Sequence, residues 1–406
     1  MNTLYLSIDG ISDPLGRSQI LPYLLGLSKL GHKFHLLSLE KPLRFEKEKS
    51  AIEKVVENTS IQWFPLTYIE KTGVLNKTIN AKNLKNKAEE IIKKNKIEII
   101  HARGYVPALI GLSLKNKYNL KLIFDMRGFW PDERLDGNIW KMNNPIHFFL
   151  YKYFKFQEKR MIRNANHVVS LTQKGKNILL SNFKFLRTEN ISVIPCFADL
   201  KHFDFNAINL DRLNNLKLSL KIASSDLVFL YLGSLGTWYM TNEMCDFFKV
   251  IKGKNPNAKL LIVTKDDTSD FLNYATKIGL QKEDLIFREA SRDEVPYFIE
   301  CSNIALFFIK PSFSKQASSP TKMGEIMGLG KPIITNAGVG DVDDILNETQ
   351  SGYIIENFTK ENYELAANSI FKIKNIDKNL IRKGGLAFYD LENGILKYNT
   401  IYNSLA

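Results

Sequence analysis

Short apolar runs alternate along the first half of the chain with longer segments in which apolar residues recur every three or four positions. The short runs predict β-strands, and the longer segments predict amphipathic helices. The predicted strands lie at residues 4–8, 35–39, 61–65, 97–101, 120–125, 167–171 and 192–195. Alternating strands and helices are typical of a doubly wound, mostly parallel sheet that helices cover on both faces.

Residues 195–215 are irregular and polar, and we interpret them as a linker between two domains. The predicted strands of a second alternating series lie at residues 227–232, 259–264, 285–288 and 304–309, and the series continues to a strand at the end of residues 318–336. A last helix is predicted from about residue 378 to residue 406. Because 406 residues exceed what one hydrophobic core usually supports, the sequence predicts two Rossmann-like α/β domains, at residues 1–197 and 198–385.

The composition is that of an ordinary soluble protein with an excess of basic residues, which gives a formal net charge of +13. A basic surface suits phosphorylated substrates, an anionic membrane face or nucleic acid, but no DNA- or RNA-binding module signature is present. Cys196, Cys245 and Cys301 lack the close spacing of zinc sites. The first residues lack a basic signal-peptide region, and no apolar run approaches a membrane span. We therefore expect a cytoplasmic protein that binds no nucleic acid.

Residues 318–336 combine a loop, a short helix and a strand, and they read SSPTKMGEIMGLGKPIITN. Ser319 suits the N-cap, Pro320 the first helical position and Gly330 the helix stop. Lys322 is unusual, because a cation in the first turn opposes the helix dipole. An anion docked at the helix start, on free N–H groups, serine hydroxyls and the ammonium, would explain it.

Glu325 lies one turn beyond Lys322, where its carboxylate could accept both hydroxyl groups of a ribose. Together the two residues predict a nucleotide site at the start of this helix. An ordinary capped helix with a solvated Lys322 and Glu325 is the alternative.

Polar clusters follow two predicted strands of the first domain, at residues 101–104 and 125–134. In parallel sheets, ligands bind beyond the carboxyl ends of the strands, which makes both clusters candidate sites. A salt-bridged surface loop is the alternative for the second cluster, and a hydrogen-bonded structural histidine is the alternative for His101. Gly16, in the loop after the first strand, would let a ligand approach the backbone, although a plain turn glycine explains it equally well.

Residues 146–156 are strongly aromatic and contain basic side chains. Amphipathic basic and aromatic helices rest on membrane surfaces, so peripheral contact with the inner membrane face is one interpretation. A helix packed on the sheet is the interpretation that we favour.

The whole chain resembles the GT-B glycosyltransferases of family 4, the retaining group that uses nucleotide sugars, and most closely a subgroup from surface-polysaccharide gene clusters. The residues that carry the resemblance are Asp13-Pro14-Leu15-Gly16, Ser18-Gln19, Gly31-His32, Ile194-Pro195, the Ser-Ser-Pro-Thr-Lys-x-x-Glu pattern that ends at Glu325, and Gly330-Lys331-Pro332-Ile333-Ile334.

The resemblance implies a metal-independent enzyme with no cofactor, whose two domains face a central cleft. It would move a sugar from a nucleoside diphosphate sugar, with UDP favoured over GDP, to a glycan or lipid-linked acceptor in cell-surface polysaccharide assembly. Anomeric configuration would be retained. A C-terminal helix, residues 386–406, would return to the first domain.

The resemblance and the strand-end clusters together assign roles to individual residues. The donor residues are Gly233, Ser234, Gly236, Lys265, Arg288, Ser318, Ser319, Thr321, Lys322 and Glu325. The acceptor residues are Gly16, Arg17, His101, Arg103, Trp130, Asp132 and Glu133. The catalytic residues are Arg127 and Asp125, and no metal ligands are assigned.

The sequence departs from the family pattern at three places. Ala317 stands where the first of two paired glutamates falls, and the segment 233–239 lacks the usual Arg and Lys. The usual histidine after the central strand of the first domain is replaced around Met126 and Arg127. The phosphate charge would then fall to Lys322, Lys265 and Arg292. Two other readings stay open: a GT-B nucleotide-sugar 2-epimerase, and a non-catalytic sugar-nucleotide-binding or scaffold protein.

Overall fold

The structure, a computed structural model, describes residues 1–70 and 74–406. The chain forms two compact units. The first comprises Met1–Cys196 and Leu391–Ala406, and the second is Phe197–Asp390. The first boundary therefore lies at residues 196 and 197, whereas the sequence placed it at 197 and 198. The chain returns to the first unit at Leu391, five positions after residue 386.

A seven-stranded, all-parallel sheet forms the centre of the first unit. Its strands are β1 (Asn2–Ser7), β2 (Lys33–Glu40), β3 (Ile61–Thr67), β4 (Ile99–Arg103), β5 (Lys121–Asp125), β6 (His167–Ser170) and β7 (Ile191–Val193). Their spatial order is β3-β2-β1-β4-β5-β6-β7. The carboxyl ends of β4 and β5 are neighbours, so Arg103 pairs with Asp125 in register. This pairing brings together the two polar clusters that the sequence singled out.

Helices connect these strands, as the alternating pattern predicted. They are α1 (Pro14–Gln19), α2 (Leu21–Lys29), α3 (Pro42–Val56), α4 (Val74–Lys94), α5 (Tyr105–Tyr118), α6 (Trp130–Asp136), α7 (Pro145–Asn164) and α8 (Gln173–Asn182). The first helix begins at Pro14 and ends at Gln19. Pro22 lies in the first turn of α2 and has no N–H to continue an α1 ladder, which explains the break.

The second unit contains a six-stranded, all-parallel sheet. Its strands are β8 (Leu227–Leu232), β9 (Ala258–Val263), β10 (Leu285–Arg288), β11 (Ile304–Phe307), β12 (Ile333–Asn336) and β13 (Gly352–Ile355), in the spatial order β10-β9-β8-β11-β12-β13. The sequence pattern missed β13, a half-buried edge strand that starts with a glycine. The predicted doubly wound, parallel architecture is otherwise confirmed for both units.

The helices of the second unit alternate with these strands. They are α9 (Leu210–Ser219), α10 (Thr241–Lys254), α11 (Ser269–Lys277), α12 (Val295–Glu300), α13 (Thr321–Gly328), α14 (Val342–Thr349), α15 (Lys360–Asn368), α16 (Ile370–Lys374) and α17 (Lys378–Tyr389). The interpretation of residues 195–215 as a linker is wrong in its last part. There α9 begins at Leu210, and the Asn209 side chain caps it by accepting from the Arg212 N–H.

The predicted final helix is two helices, α17 and α18 (Leu391–Ser404), separated at Asp390. The Ala198 N–H donates to the Tyr389 carbonyl at 2.8 Å, which ties the end of α17 to the second unit. Helix α18 belongs to the first unit and packs on α2. A Cβ at Gly26 would come within 2.1 Å of Ile395 Cδ1, so glycine permits this close helix packing.

Candidate functional site

At the start of α13, Lys322 is buried among aromatic rings. The Lys322 side chain is 5% exposed. Its Nζ has no hydrogen-bond partner among the residues that the structure describes. Three aromatic rings surround the ammonium, with centroids 4.5 Å (Tyr231), 4.1 Å (Tyr239) and 5.5 Å (Phe307) from Nζ. Ring faces attract a cation, but they leave its three N–H donors unused.

Burial changes the acid–base behaviour of this helix. Loss of hydration lowers the pKa of Lys322 to about 7, and the attraction of Glu325 offsets only part of that fall. Burial also raises the pKa of Glu325 to about 7, against the opposing pull of Arg292 and Lys322. Both groups are therefore poised near neutrality, and a bound anion would restore the positive charge of Lys322.

The N-terminus of α13 differs by one residue from the sequence prediction. Pro320 is the N-cap and Thr321 the first helical residue, whereas the sequence placed the cap at Ser319. Pro320 has no side-chain group that could accept from the N–H groups of the first turn, and the Met323 N–H donates to the Pro320 carbonyl at 3.2 Å. Ser318 and Ser319 precede the helix and are partly exposed. Lys322 thus lies in the first helical turn, the part of a helix whose N–H groups point towards a bound anion.

The loop after β8 lies against the same ammonium. Gly233 has φ 125°, a backbone conformation open mainly to glycine, and a Cβ there would lie 3.0 Å from Lys322 Nζ. The Tyr231 hydroxyl donates to the Ser234 carbonyl, and the Leu235 N–H donates to Asp266 Oδ2 at 2.8 Å. These bonds position the loop that contains Gly236. Two regions distant in sequence, residues 233–236 and 320–325, thus form one site within the second unit.

The other basic residues assigned to the donor are exposed, in contrast to the buried Lys322. Lys265 and Arg288 are exposed, and Arg288 Nη1 donates to the Phe287 carbonyl of its own strand. Arg292 is exposed, but its charge opposes the rise in the pKa of Glu325. Sequence reasoning missed Lys315, which is buried with Nζ 3.7 Å from the centre of the Trp238 ring. Only the contact with the loop after β8 identifies it.

Ala317 is buried at the position where the family pattern has a glutamate. It ends a 3-10 helix, Ser314–Ala317, that leads directly into the loop before α13. The methyl group therefore takes a place in the core, and no carboxylate occupies this point.

In the first unit, the ends of β4 and β5 hold a buried cluster of charges. Asp125 is fully buried, and its Oδ2 accepts from the Tyr398 hydroxyl at 3.0 Å. His101 Nε2 and Arg103 Nη1 both lie 3.6 Å from the same oxygen. Arg127 Nη1 lies 3.8 Å from Oδ1. One carboxylate thus faces two guanidinium groups and an imidazole.

The environment of this cluster favours an ionised Asp125 and a neutral His101. Burial would raise the pKa of Asp125, but Arg127, His101 and Arg103 together hold it at about 2. Burial lowers the pKa of His101, whose Nδ1 bonds the Tyr402 hydroxyl at 2.6 Å. These bonds place His101 in a structural network with α18, in agreement with the structural alternative.

Among the described residues, Arg127, Arg103, His101 and Asp125 each have a buried polar atom without a hydrogen-bond partner, and Arg127 is the member of this cluster whose backbone is also strained. Its Nη2 donates to Cys196 Sγ at 3.2 Å, while Nη1 has no hydrogen-bond partner within the described residues. Arg127 also adopts φ 58°, a left-handed conformation that is uncommon outside glycine, and Gly128 follows with φ 117°. Strained backbone of this kind concentrates at functional sites.

The acceptor roles of Gly16 and Arg17 stay predictions, and both residues also have contacts within the first unit. A Cβ at Gly16 would lie 2.1 Å from the Gly10 carbonyl oxygen, so the close packing of this loop requires glycine at that position. Glu40 fixes this loop by accepting from the Ile11 N–H at 2.8 Å. Arg17 Nη1 lies 3.6 Å from Glu48 in an ion pair.

The predicted acceptor residues of α6 are also largely engaged. Asp132 is buried and accepts from the Tyr151 hydroxyl and from Lys155 Nζ, both at 2.9 Å. The Trp130 ring packs against Phe154 with centroids 4.8 Å apart. Glu133 is partly exposed. Asp132 therefore anchors α6 to α7, and the acceptor roles of Trp130, Asp132 and Glu133 stay predictions.

No group of three or more His, Cys, Asp or Glu side chains suited to a metal ion was found among the described residues. None of the helices in that part of the chain combines the length and the apolar character needed to span a membrane.

Comparison with known families identifies the chain. The model of Glycosyltransferase Family 4 matches residues 23–202, and the model of Glycosyl transferases group 1 matches residues 214–385. The chain belongs to glycosyltransferase family 4. The first match lies mainly in the first unit and the second match lies within the second unit.

A curated relative of this glycosyltransferase is the capsular polysaccharide biosynthesis glycosyltransferase CapM of Staphylococcus aureus. The two are 23% identical over 229 residues, which is 55% of this chain and 57% of CapM. The match thus spans little more than half the length of that relative.

Solved structures similar to this glycosyltransferase share its fold over nearly the whole chain. They include a glycosyltransferase from Rickettsia africae (TM-score 0.72, 19% identity, 100% of this chain and 98% of that one). Sucrose-phosphate synthase from Thermosynechococcus elongatus gives TM-score 0.75 at 13% identity, over 100% and 98% of the chains. Anabaena HepE gives TM-score 0.71 at 14% identity, over 100% of both. The GT-B fold is confirmed.

Proposed function

We propose that this family 4 glycosyltransferase moves a sugar from a nucleoside diphosphate sugar, UDP favoured over GDP, to a glycan or lipid-linked acceptor of cell-surface polysaccharide assembly. The observation that carries the proposal is the buried Lys322 in the first turn of α13, whose Nζ has no hydrogen-bond partner among the described residues. A diphosphate there would accept hydrogen bonds from the ammonium and from N–H groups at the helix start. Glu325, one turn on, would accept the ribose hydroxyls.

Two of the comparisons support the choice of donor and pathway. The solved structure of HepE is described as a complex with UDP, and CapM is described as acting in capsular polysaccharide biosynthesis. The cytoplasm is the compartment that we propose for the reaction.

The proposed chemistry uses fixed positive charge and needs no metal ion. Lys322, together with the helix N-terminus, would offset the charge of the diphosphate as it departs. Arg127 would act on the reacting sugar or on the leaving group, because its Nη1 has no other hydrogen-bond partner in the described chain. Anomeric configuration would be retained if the acceptor hydroxyl enters on the face from which the diphosphate leaves.

One specific observation favours a second candidate. Ala317 replaces a carboxylate of the family pattern with a buried methyl group, and a protein that binds nucleotide sugars without transferring the sugar would tolerate that change. The two functions differ in product, because only a transferase releases free nucleoside diphosphate from the donor.

A thermal-shift panel followed by product analysis tests the proposal. UDP and UDP-sugars should raise the melting temperature of the purified protein more than GDP and GDP-sugars do. The best donor should then slowly yield free UDP and an unaltered sugar. A donor recovered intact would favour the binding protein, and a donor recovered as its 2-epimer would favour an epimerase.

A further inference from the structure

Helix α7 exposes apolar and aromatic side chains on one face between Ile146 and Phe156. Phe149 is 70% exposed and Phe156 is 60% exposed. Ile146, which precedes Phe149, and Tyr153, which lies between the two phenylalanines, are also exposed. Positions 146, 149, 153 and 156 recur every three or four residues, so these side chains lie on one side of the helix. Helix α7 contacts β5, α5 and α6, in line with the interpretation that this segment packs on the sheet, while the face formed by these four side chains stays exposed. The residues that α7 buries lie mainly in its second half, namely Gln157, Glu158, Met161 and Ile162.

The exposed charged side chains of α7 are all positive. Lys152, Lys159 and Arg160 are exposed on α7. The single acidic residue of the helix, Glu158, is buried and is bound by Lys155 Nζ at 2.6 Å and by the Tyr105 hydroxyl at 2.5 Å. The exposed surface of α7 thus combines aromatic rings with cations and presents no carboxylate.

The opposite side of the same helix connects to the end of β5. Phe154 packs on Trp130, and Tyr151 and Lys155 both bind Asp132. The short helix α6, which carries Trp130 and Asp132, follows the segment of Asp125 and Arg127. A surface that binds α7 would therefore lie beside the carboxyl end of the sheet in the first unit.

We propose that the exposed face of α7, formed by Ile146, Phe149, Tyr153 and Phe156 with Lys152, Lys159 and Arg160, docks on an anionic phospholipid bilayer. The aromatic side chains enter the interface between headgroups and acyl chains, and the basic side chains meet lipid phosphates. If the protein docks on a bilayer, a lipid-linked acceptor becomes the favoured acceptor class, and that conclusion rests on the proposed function. The docking itself does not depend on the proposed function.

Charge complementarity favours a bilayer over a protein partner. Lysine is depleted in the cores of protein interfaces, whereas Lys and Arg beside aromatic residues are typical of helices that lie on anionic membranes. The net charge of +13 adds a long-range attraction to such a surface.

Flotation with lipid vesicles tests the docking, with the full chain and no nucleotide. The wild type should bind vesicles of phosphatidylcholine with one third phosphatidylglycerol, and bind pure phosphatidylcholine at least about tenfold less. Phe149→Ser with Phe156→Ser should weaken binding to the anionic vesicles by at least about tenfold. Lys152→Glu with Lys159→Glu should do the same at low salt.

Matched variants control for exposure and charge elsewhere. Phe371 is 73% exposed and has Lys374 Nζ 5.3 Å from its ring centre, so Phe371→Ser removes a similar aromatic–cation pair from the second unit. Lys360→Glu changes the charge of an exposed lysine. Both controls should bind vesicles as the wild type does. Because all substituted side chains are exposed, each variant should keep its fold and its UDP affinity.

The outcomes separate this inference from the proposed function. Equal vesicle binding by the wild type and the Phe149→Ser, Phe156→Ser variant would overturn the docking, as would salt-insensitive binding to neutral vesicles. A monomer–dimer equilibrium that the same variant abolishes, without vesicle binding, would assign the face to a second copy and overturn it too. Vesicle binding by a protein that shows no response to nucleotides would sustain the docking and refute the function.

Discussion

The two units place charge at the carboxyl ends of their sheets in opposite ways. In the first unit, Asp125 is surrounded by His101, Arg103 and Arg127 within 3.8 Å, and its pKa is held at about 2. In the second unit, Lys322 lies among aromatic rings without a partner in the described chain, and its pKa falls to about 7. The first arrangement compensates its charges internally, because Arg103 Nε also lies 3.5 Å from Asp9 Oδ2 and two carboxylates therefore face two guanidinium groups. The second leaves one charge to be compensated from outside.

This difference indicates that the charge cluster of the first unit positions residues, whereas Lys322 of the second unit is suited to bind a ligand. A compensated cluster stabilises the fold across the neutral pH range and can hold a strained residue such as Arg127 in place. An uncompensated lysine destabilises the fold. Its pKa shift from 10.5 to about 7 corresponds to a penalty on the order of 5 kcal/mol below pH 7. Because the folded pKa lies below the unfolded one, the penalty shrinks as pH rises from 7 to 10.5. A group retained at such a penalty is a strong candidate for ligand binding.

The largest expected effect comes from breaking the compensated cluster. Asp125→Asn leaves Arg103 and Arg127 without their shared carboxylate, and we expect the free energy of unfolding to fall by about 3–5 kcal/mol. Urea denaturation measures the loss. The exposed Asp270, changed to Asn, is the control and should stay within about 0.5 kcal/mol of the wild type.

The pH profile of the same variants gives an independent check. The pKa of Asp125 lies near 2, below its ordinary value of 3.8. The carboxylate therefore stabilises the fold above pH 4, and that contribution disappears as pH falls from about 4 to about 2. The wild type should lose on the order of 2 kcal/mol more than Asp125→Asn in this window. Parallel curves for the two proteins would contradict the proposed charge cluster.

Arg127→Ala tests whether the compensated cluster also serves catalysis. The rate of UDP release from the best donor should fall by about a hundredfold, while UDP affinity should change little. Arg134→Ala, which removes the guanidinium 4.9 Å from the Trp130 ring, is the matched control and should keep most of the rate. Near-normal turnover in a folded Arg127→Ala protein would return Arg127 to a purely structural role.

Glu325→Gln sharpens the account of the second unit. If the carboxylate accepts ribose hydroxyls, losing one hydrogen bond should weaken UDP binding by about 0.5–1.5 kcal/mol, roughly two- to tenfold. Binding of 2′-deoxy-UDP should weaken less. Calorimetry with both nucleotides measures the two affinities. If the wild type and the variant discriminate equally between UDP and 2′-deoxy-UDP, Glu325 does not bind the ribose hydroxyls.

The smallest expected effect is that of metal removal. Because Lys322 and the helix start are proposed to offset the diphosphate charge, excess EDTA should leave donor turnover unchanged within about twofold. The same assay with added Mg²⁺ is the control. Turnover abolished by EDTA and restored by Mg²⁺ or Mn²⁺ would replace this account with a metal-assisted one.

Periodic apolar patterning was sufficient to predict most of the fold, because buried parallel strands are nearly continuous apolar runs. It placed β8 and β10 at their observed bounds. It missed β13, since an edge strand that is half exposed and contains Gly352 has a weak pattern. It also missed the break at Asp390, which interrupts an apolar helical pattern, and the start of α9, where Asn209 caps a helix within a polar segment.

The candidate site was predictable only where local sequence carried the signal. Lys322 against the helix dipole was such a signal, and Arg127 after a buried strand was another. The packing of Gly16 and the bonds of Asp132 depend on Gly10 and on Tyr151 and Lys155, contacts that sequence spacing does not reveal. Lys315 was missed for the same reason, because its partner Trp238 lies far away in the sequence.

Calorimetry of UDP with wild type and Lys322→Met most directly tests the claim that Lys322 is the charge left for the donor. Methionine fills a similar volume among the rings without a charge, so the variant should fold with equal or greater stability. UDP affinity at pH 7 should fall about ten- to a hundredfold, the effect of one charge-assisted contact, and the exposed control Lys360→Met should not change it. A folded Lys322→Met protein that binds UDP as tightly as the wild type would contradict the account.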